Sequence, residues 1–357
     1  MSVAANPVIA QDVAQILQQP LPWADLHGTT VMISGASGFL PAYMVEVLAA
    51  LNRLGASIRI IGLVRSRERA LRRLSHLLDA GLSLIEHDVS FALPAELPRA
   101  DYIIHAASQA SPRFYGSDPV GTLEANTKGT SHLLRHASDS KSRSFLFFSS
   151  GEVYGIPVDG SRPLTETDFG FLDPATVRAC YGESKRMGET LCVSWAHQYG
   201  VPARVVRPFH TYGPGMSLTD GRVFADFVAD VVARRDVVLK SDGLAMRPFC
   251  YLSDATAAFF SVLLRGEVGR AYNVGNPAAE ISIRDLAYLV AGLFPSLGLK
   301  VVGATRTGSA STGYLQSAIS RSVPDIGRMA TLGWLPATGL EAGFRRTILS
   351  FDSLIDQ

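Results

Sequence analysis

From Thr29 onward the chain alternates short, almost wholly apolar runs with longer amphipathic ones. TTVMISG (29–35) precedes FLPAYMVEVLAALNRLG, and SIRIIGLVR (57–65) precedes a basic stretch through Leu78. LSLIEHDV, DYIIHAAS and SFLFFSS follow at similar intervals, and ARVVRPF (203–209) adds one more run of the same kind. Unbroken apolar runs of this length predict strands buried on both faces. The periodic stretches between them predict helices, the first stopped by Gly55. Such alternation indicates an α/β fold, a Rossmann-type doubly wound parallel sheet covered on both sides. In that fold ligands sit at the carboxyl ends of the strands, which is where the small and polar residues of these runs cluster.

Beyond residue 209 the pattern is less regular, which predicts a smaller C-terminal substrate-binding lobe. Residues 1–28 carry one amphipathic piece, VAQILQQ, closed by Pro20 and Pro22, and read as an N-terminal extension. The expected division is an extension over 1–28, a sheet domain over 29–209, and a lobe over 210–357 that partly returns to the sheet domain.

Composition narrows the class. With 357 residues, 47% hydrophobic and 18% charged, the chain fills a globular core. Its 33 basic and 32 acidic residues give a net charge of +1, so no one-sign field marks a nucleic-acid or membrane partner. Arg65, Arg67, Arg69, Arg72 and Arg73 form the one dense basic run, read as a solvated helix face in all but Arg65. Cys180, Cys192 and Cys250 have neither metal nor disulfide spacing, which suits a reducing cytoplasm. No export signal is expected from the first residues, and no run reaches the roughly 18 apolar residues of a membrane span. A cytoplasmic location is expected.

Gly35-Ala-Ser-Gly38 falls between the first strand and the first helix. A glycine turn there lets backbone N–H groups approach a pyrophosphate, helped by the partial positive charge of the helix N-terminus. The third glycine of the usual fingerprint is Pro41 here, a residue tolerated in a first helical turn. The second strand ends in Arg65-Ser66 instead of the acidic residue that usually holds the adenosine ribose. Arg65 suits a 2′-phosphate or a stack on adenine, and Asp88 stands ready for the adenine amino group. NAD is expected over NADP.

Tyr181-Gly-Glu-Ser-Lys185 sets a phenol and an ammonium four residues apart, on one face of a helix. A cation beside a tyrosine favours the phenolate, giving a base for a sugar hydroxyl whose carbon loses hydride. SFLFFSSGEVYG ends a strand in Ser149, Ser150 and Glu152. Ser150 is placed to hydrogen-bond the reacting oxygen, and Glu152 to act near carbon 5 or carbon 6 of a hexose.

GASGF, HAASQASP, NTKGT, SSGEVYG, YGESK and RPFHTYGPGM, in this order, resemble the extended short-chain dehydrogenase/reductase family, in its NAD-dependent epimerase/dehydratase branch. The likeness runs from about Val31 to Pro277. It implies a Rossmann dinucleotide-binding domain, a lobe for a nucleotide diphosphate sugar, and the catalytic set Ser150, Glu152, Tyr181 and Lys185. It further implies that Gly35, Ser37, Gly38, Phe39, Leu40, Arg65, Asp88, Val89, Ala106, Ala107, Ser108, Asn126, Tyr181, Lys185 and Pro208 hold the cofactor. Ser111, Arg178, His210, Arg222, Val223, Arg247 and Arg321 would hold the substrate. No metal is implied. In this family the Tyr/Lys helix and the one before it commonly form a dimer core, so a homodimer is expected; Met187, Leu191, Cys192 and Trp195 supply an apolar stripe.

HAASQASP, VRACYGESKR, TDGRVFADF and RPFCYLSDA are similar to segments of UDP-glucuronate decarboxylases. The expected reaction is transient oxidation at carbon 4 followed by loss of carbon dioxide, giving UDP-xylose. The alternatives are a 4,6-dehydratase or an epimerase of the same fold, and, from another class, a non-catalytic dinucleotide-binding regulator. Dehydratases carry an acid directly before the glutamate, where this chain has Gly151. Simple 4-epimerases usually lack the glutamate. His210 stands where asparagine is common, and Arg321-Ser-Val-Pro324 is one residue longer than the decarboxylases' Arg-x-Pro motif.

Overall fold

A computed structural model describes residues 6–303 and 321–352. Seven strands form the central sheet: β1 (Thr30–Ser34), β2 (Arg59–Val64), β3 (Leu82–Glu86), β4 (Tyr102–His105), β5 (Ser144–Phe148), β6 (Ala203–Pro208) and β7 (Ala271–Val274). Their order is β7-β6-β5-β4-β1-β2-β3, and every pairing is parallel. The chain leaves β1 toward β2 on one side and β4 on the other. That reversal opens the crevice in which such sheets bind ligands.

Alternate residues of the strands feed two cores, as the period of two requires. Val31 and Ile33 of β1 pack under α2 (Phe39–Arg53) and the helix Leu252–Arg265. Met32, with Phe145 and Phe147 of β5, packs under the helices Pro119–Ser140 and Cys180–Tyr199. Gly188 lets the latter helix lie close on β5, since a β-carbon there would stand 2.3 Å from the Phe147 ring. A third core, around Tyr212, Phe249 and Phe344, belongs to the lobe. Strand β7 and the helix Leu252–Arg265 return the chain to the sheet.

The amphipathic N-terminal piece forms α1 (Pro7–Leu17), capped by the Asn6 side chain. Its Asp12 is wholly buried and accepts hydrogen bonds from Tyr43 of α2 at 2.7 Å, from Tyr251 at 2.8 Å, and from Arg346. The extension is therefore tied to both the sheet domain and the lobe.

The basic run is a solvated face at Arg67, Arg69 and Arg72, which are exposed, and departs from that reading at Arg73. Arg67 donates to the Leu84 carbonyl at 2.6 Å. Arg73 is half-buried, its guanidinium 2.6 Å from where a β-carbon on Gly215 would stand. Helix Arg67–Leu74 faces β3 and the lobe as well as solvent, and the periodicity of charge alone does not reveal those neighbours. Among the described residues no helix is long and apolar enough to cross a membrane, and no cluster of His, Cys, Asp and Glu is arranged for a metal ion. The three cysteines are buried thiols.

Candidate active site

The turn after β1 is built for close backbone approach. Gly35 has φ +69°, and a β-carbon on it would stand 2.8 Å from the Ala107 Cα at the end of β4. Gly38 donates to the Gly35 carbonyl at 2.7 Å and forms the N-cap of α2. Pro41 is the third residue of that helix, where its missing N–H has no intrahelical partner to lose. Ser34 Oγ bonds His105 Nδ1 at 2.8 Å and accepts from the Ala107 N–H at 3.2 Å, locking the two strand ends together.

A cavity of about 340 Å³ opens at these strand ends. Of the predicted cofactor residues, Gly38, Phe39, Leu40, Ala106, Ser108, Tyr181, Lys185 and Pro208 line it. The Ser108 hydroxyl is buried and has no partner, as are the Asn126 Oδ1 and the His210 Nδ1. A glycine turn at a helix N-terminus and polar atoms awaiting partners suit a bound dinucleotide, so the residues present fit NAD. Gly35, Ser37, Ala107 and Asn126 do not line the cavity. Val89 is buried under Gly129, and Asp88 spends one oxygen on Ser90 at 2.7 and 2.9 Å. Arg65 is exposed just beyond β2.

Tyr181 and Lys185 stand in the first turns of the helix Cys180–Tyr199, both buried. Ser150, at the end of β5, lines the cavity with Tyr181 and lowers the proton affinity of its phenol. Lys185 Nζ donates to the Phe148 carbonyl at 2.6 Å and lies 5.6 Å from the Tyr181 ring centre. The expectation that Lys185 favours the phenolate needs correction. Burial pushes Tyr181 up to about 12, while Ser150 and the charges of Arg222 and Arg178 oppose the rise. Burial also brings Lys185 down to about 7, opposed by Glu189. Spacing places the pair correctly, but desolvation sets the proton affinities.

Glu152 pairs with Arg178 at 2.9 Å, and Arg178 lies 4.9 Å over the ring of Tyr115. Tyr115 in turn stacks on Tyr181, with centroids 5.0 Å apart and planes at 18°. Tyr115 was not anticipated from sequence, where a tyrosine in SPRFYG follows no period. The lobe contributes His210, Arg222, Val223, Arg247, Phe224 and Phe249 to the cavity. His210 is pushed down to about 3 by burial and then by Arg247 and Arg222, so it is neutral. Ser111 donates to the Asp220 carbonyl at 2.8 Å, joining the sheet domain to the lobe.

Arg321 does not line the cavity. Its guanidinium holds Glu280 at 2.6 and 2.9 Å and the carbonyls of Gly160 and Ser161; its neighbour Ser322 lines the cavity instead. The apolar stripe divides as well. Cys192 is fully buried against the sheet and Leu191 and Trp195 pack partly on that core, whereas Met187 is half exposed.

A parallel sheet with a glycine turn at its switch point, and a buried Ser–Tyr–Lys set beside it, defines a dinucleotide-dependent epimerase/dehydratase. Residues 31–275 match the NAD dependent epimerase/dehydratase family, and the chain belongs to it. It is 33% identical to UDP-glucuronic acid decarboxylase 3 of Arabidopsis thaliana over 315 residues, 88% of this chain and 86% of that one. UDP-glucuronic acid decarboxylase 1 of Xenopus tropicalis is also 33% identical, over 90% of this chain and 72% of its own. Among solved structures, UDP-glucuronic acid 4-epimerase of Bacillus cereus with UDP-glucuronic acid and NAD superposes with a TM-score of 0.74, at 18% identity, over 91% of this chain and 99% of that one. The dTDP-glucose 4,6-dehydratase of Bacillus anthracis with NAD gives 0.72 at 19% identity, over 92% and 97%.

Proposed function

We propose that this protein decarboxylates UDP-glucuronate to UDP-xylose with a retained NAD. The observation that carries the reading is one cavity lined by Ser150, Tyr181 and Lys185 together with the cations Arg222 and Arg247. The phenol serves the sugar and the cations suit a diphosphate. The names of its decarboxylase relatives support the same choice, and the NAD held by fold neighbours supports NAD over NADP.

Bound against the Gly35–Gly38 turn, NAD supplies the acceptor and later the donor of a hydride. In its phenolate form, which Ser150, Arg222 and Arg178 favour against burial, Tyr181 takes the proton of the carbon-4 hydroxyl and becomes the phenol. The ketone so formed lies β to the carboxylate on carbon 5, so carbon dioxide leaves with its electrons flowing into the ketone oxygen, which Tyr181 and Ser150 hold. Glu152, steadied by Arg178, faces the end of the sugar where that bond breaks. Gly151 supplies no acid before Glu152, which disfavours dehydration, and the fit there is tight, since a β-carbon would meet the Phe209 ring at 3.1 Å.

Mass spectrometry after incubation with a panel of nucleotide sugars tests the reading. Loss of carbon dioxide from UDP-glucuronate is expected; loss of water or an unchanged mass would assign dehydration or epimerisation. A protein that binds NAD and turns over no sugar nucleotide would be a regulator. We place the enzyme in the cytoplasm, in keeping with three free buried thiols. We also place it in a homodimer through the helices Pro119–Ser140 and Cys180–Tyr199, where Val120, Leu123 and Met187 are exposed. Light scattering that gives a monomer at micromolar concentration removes the dimer.

A further inference from the structure

Lys185 and Glu189 straddle Gly188 on the Cys180–Tyr199 helix. Because Gly188 brings that helix down onto Phe147, the two side chains reach consecutive residues at the end of β5. Lys185 Nζ donates to the Phe148 carbonyl at 2.6 Å, and Glu189 Oε1 accepts from the Ser149 hydroxyl at 2.5 Å. The next residue of the strand is Ser150. Glu189 is itself held by Arg207 of β6, whose Nε and Nη2 bond its two oxygens at 2.9 and 2.6 Å. Arg207 also donates to the Tyr154 hydroxyl at 2.8 Å and the Glu166 carbonyl at 3.0 Å. Tyr154 donates in turn to Asn273 Oδ1 at 2.6 Å. Withdrawing a carboxylate from water is costly unless it is paired and hydrogen-bonded, and here it accepts three bonds, two on Oε1 and one on Oε2.

We propose that Glu189 is a positioning residue of the reaction: it fixes the strand end that presents Ser150, and its charge, one helical turn away, keeps Lys185 an ammonium. This rests on the reading of Tyr181 and Lys185 as the catalytic pair. The groups around Lys185 leave that task to Glu189. His105, from β4, is buried and neutral, drawn down to about 3. Cys192, from the same helix, is raised by burial and stays a thiol. Tyr181 is a phenol up to about 12. Arg207, from β6, is cationic but is spent on Glu189. Among these neighbours Glu189 is the anion, and it opposes the burial that brings Lys185 down to about 7. Near neutral pH such a lysine is poised between its two forms, so a modest change in local charge alters how much of it is ammonium.

The chain has five lysines, so the ¹³Cε signal of Lys185 can be assigned in lysine-labelled protein by its absence from Lys185→Arg. Titrating this signal in the full-length protein reads the charge directly, without turnover. Glu189→Gln is expected to move the midpoint to lower pH by about one unit, the scale of one lost charge neighbour. Glu189→Asp, which keeps the charge and loosens the Ser149 contact, is expected to leave the midpoint in place. If the unpaired Arg207 prevents Glu189→Gln from folding, Glu189→Gln with Arg207→Gln leaves no lone buried charge, and its midpoint is expected to lie below that of Arg207→Gln alone. An unmoved midpoint in whichever variant folds overturns the proposal. With UDP-glucuronate, the alkaline limb of kcat is expected to move with the midpoint in Glu189→Gln, and a uniform drop with no displaced limb assigns Glu189 a purely structural role. Failure of wild-type protein to release carbon dioxide overturns the substrate reading alone, since the lysine titration stands apart from it.

Discussion

A β-carbon on Gly151 would stand 3.1 Å from two ring carbons of Phe209. Phe209 is itself packed with Val153, Tyr154 and Leu164 in a small buried cluster and also lines the cavity. A side chain at 151 therefore requires the Phe209 ring to shift by a few tenths of an ångström.

Gly151→Asp is therefore expected to slow turnover roughly tenfold or more, from overpacking of about 1–3 kcal/mol, without creating water loss. Adding Phe209→Ala makes room and is expected to recover part of the rate. The mass of the product decides between these outcomes. A dehydrated sugar from the single variant would contradict the role given to Phe209.

Tyr181 and Glu152 are expected to fail at different stages. Tyr181→Phe keeps the stack on Tyr115 but has no proton to move, so oxidation at carbon 4 should fall by about 10²–10⁴-fold. Glu152→Gln keeps the shape, frees Arg178 from its 2.9 Å partner, and should allow oxidation while product release stalls. Absorbance of the reduced cofactor, compared with carbon dioxide release, separates the two stages. Equal loss of oxidation in both variants would place Glu152 in the first stage.

His105 and His210 are both buried, neutral and drawn down to about 3. Unfolding returns each to about 6.5, so below that pH the unfolded chain binds protons that the folded chain does not. Stability is then fully present above pH 6.5 and falls as pH decreases toward 3, each histidine contributing about 1.4 kcal/mol per pH unit within that window. Urea midpoints between pH 6.5 and 4.5 measure the slope. His210→Asn is expected to flatten it, and an unchanged slope counts against a neutral buried His210.

Asp12 is expected to hold the extension, the sheet domain and the lobe together. Asp12→Asn leaves Arg346 without its anion and should cost about 3 kcal/mol, the low end for a buried pair because Arg346 keeps part of its surface in water. Thermal unfolding reports the loss. If Tyr251→Phe adds its full separate effect in the Asp12→Asn background, the two do not act as one clasp.

Much of this was legible in the chain itself. Six of the seven sheet strands appear as apolar runs, because a strand buried on both faces has to be apolar throughout. The Gly35 turn and the Tyr181–Lys185 pair are set by spacings of a few residues, so local geometry carries them into place. What required tertiary structure is nonlocal. Arg321 is 41 positions from Glu280, which takes up its guanidinium. Tyr115 stacks on Tyr181 from 66 residues away, and Phe209 closes the space beside Gly151. The proton affinities of Tyr181 and Lys185 also moved opposite to the sense that their spacing suggests. Spacing fixes which charges are neighbours along one helix, whereas burial depends on every element packed around them, and here desolvation outweighs the single neighbour.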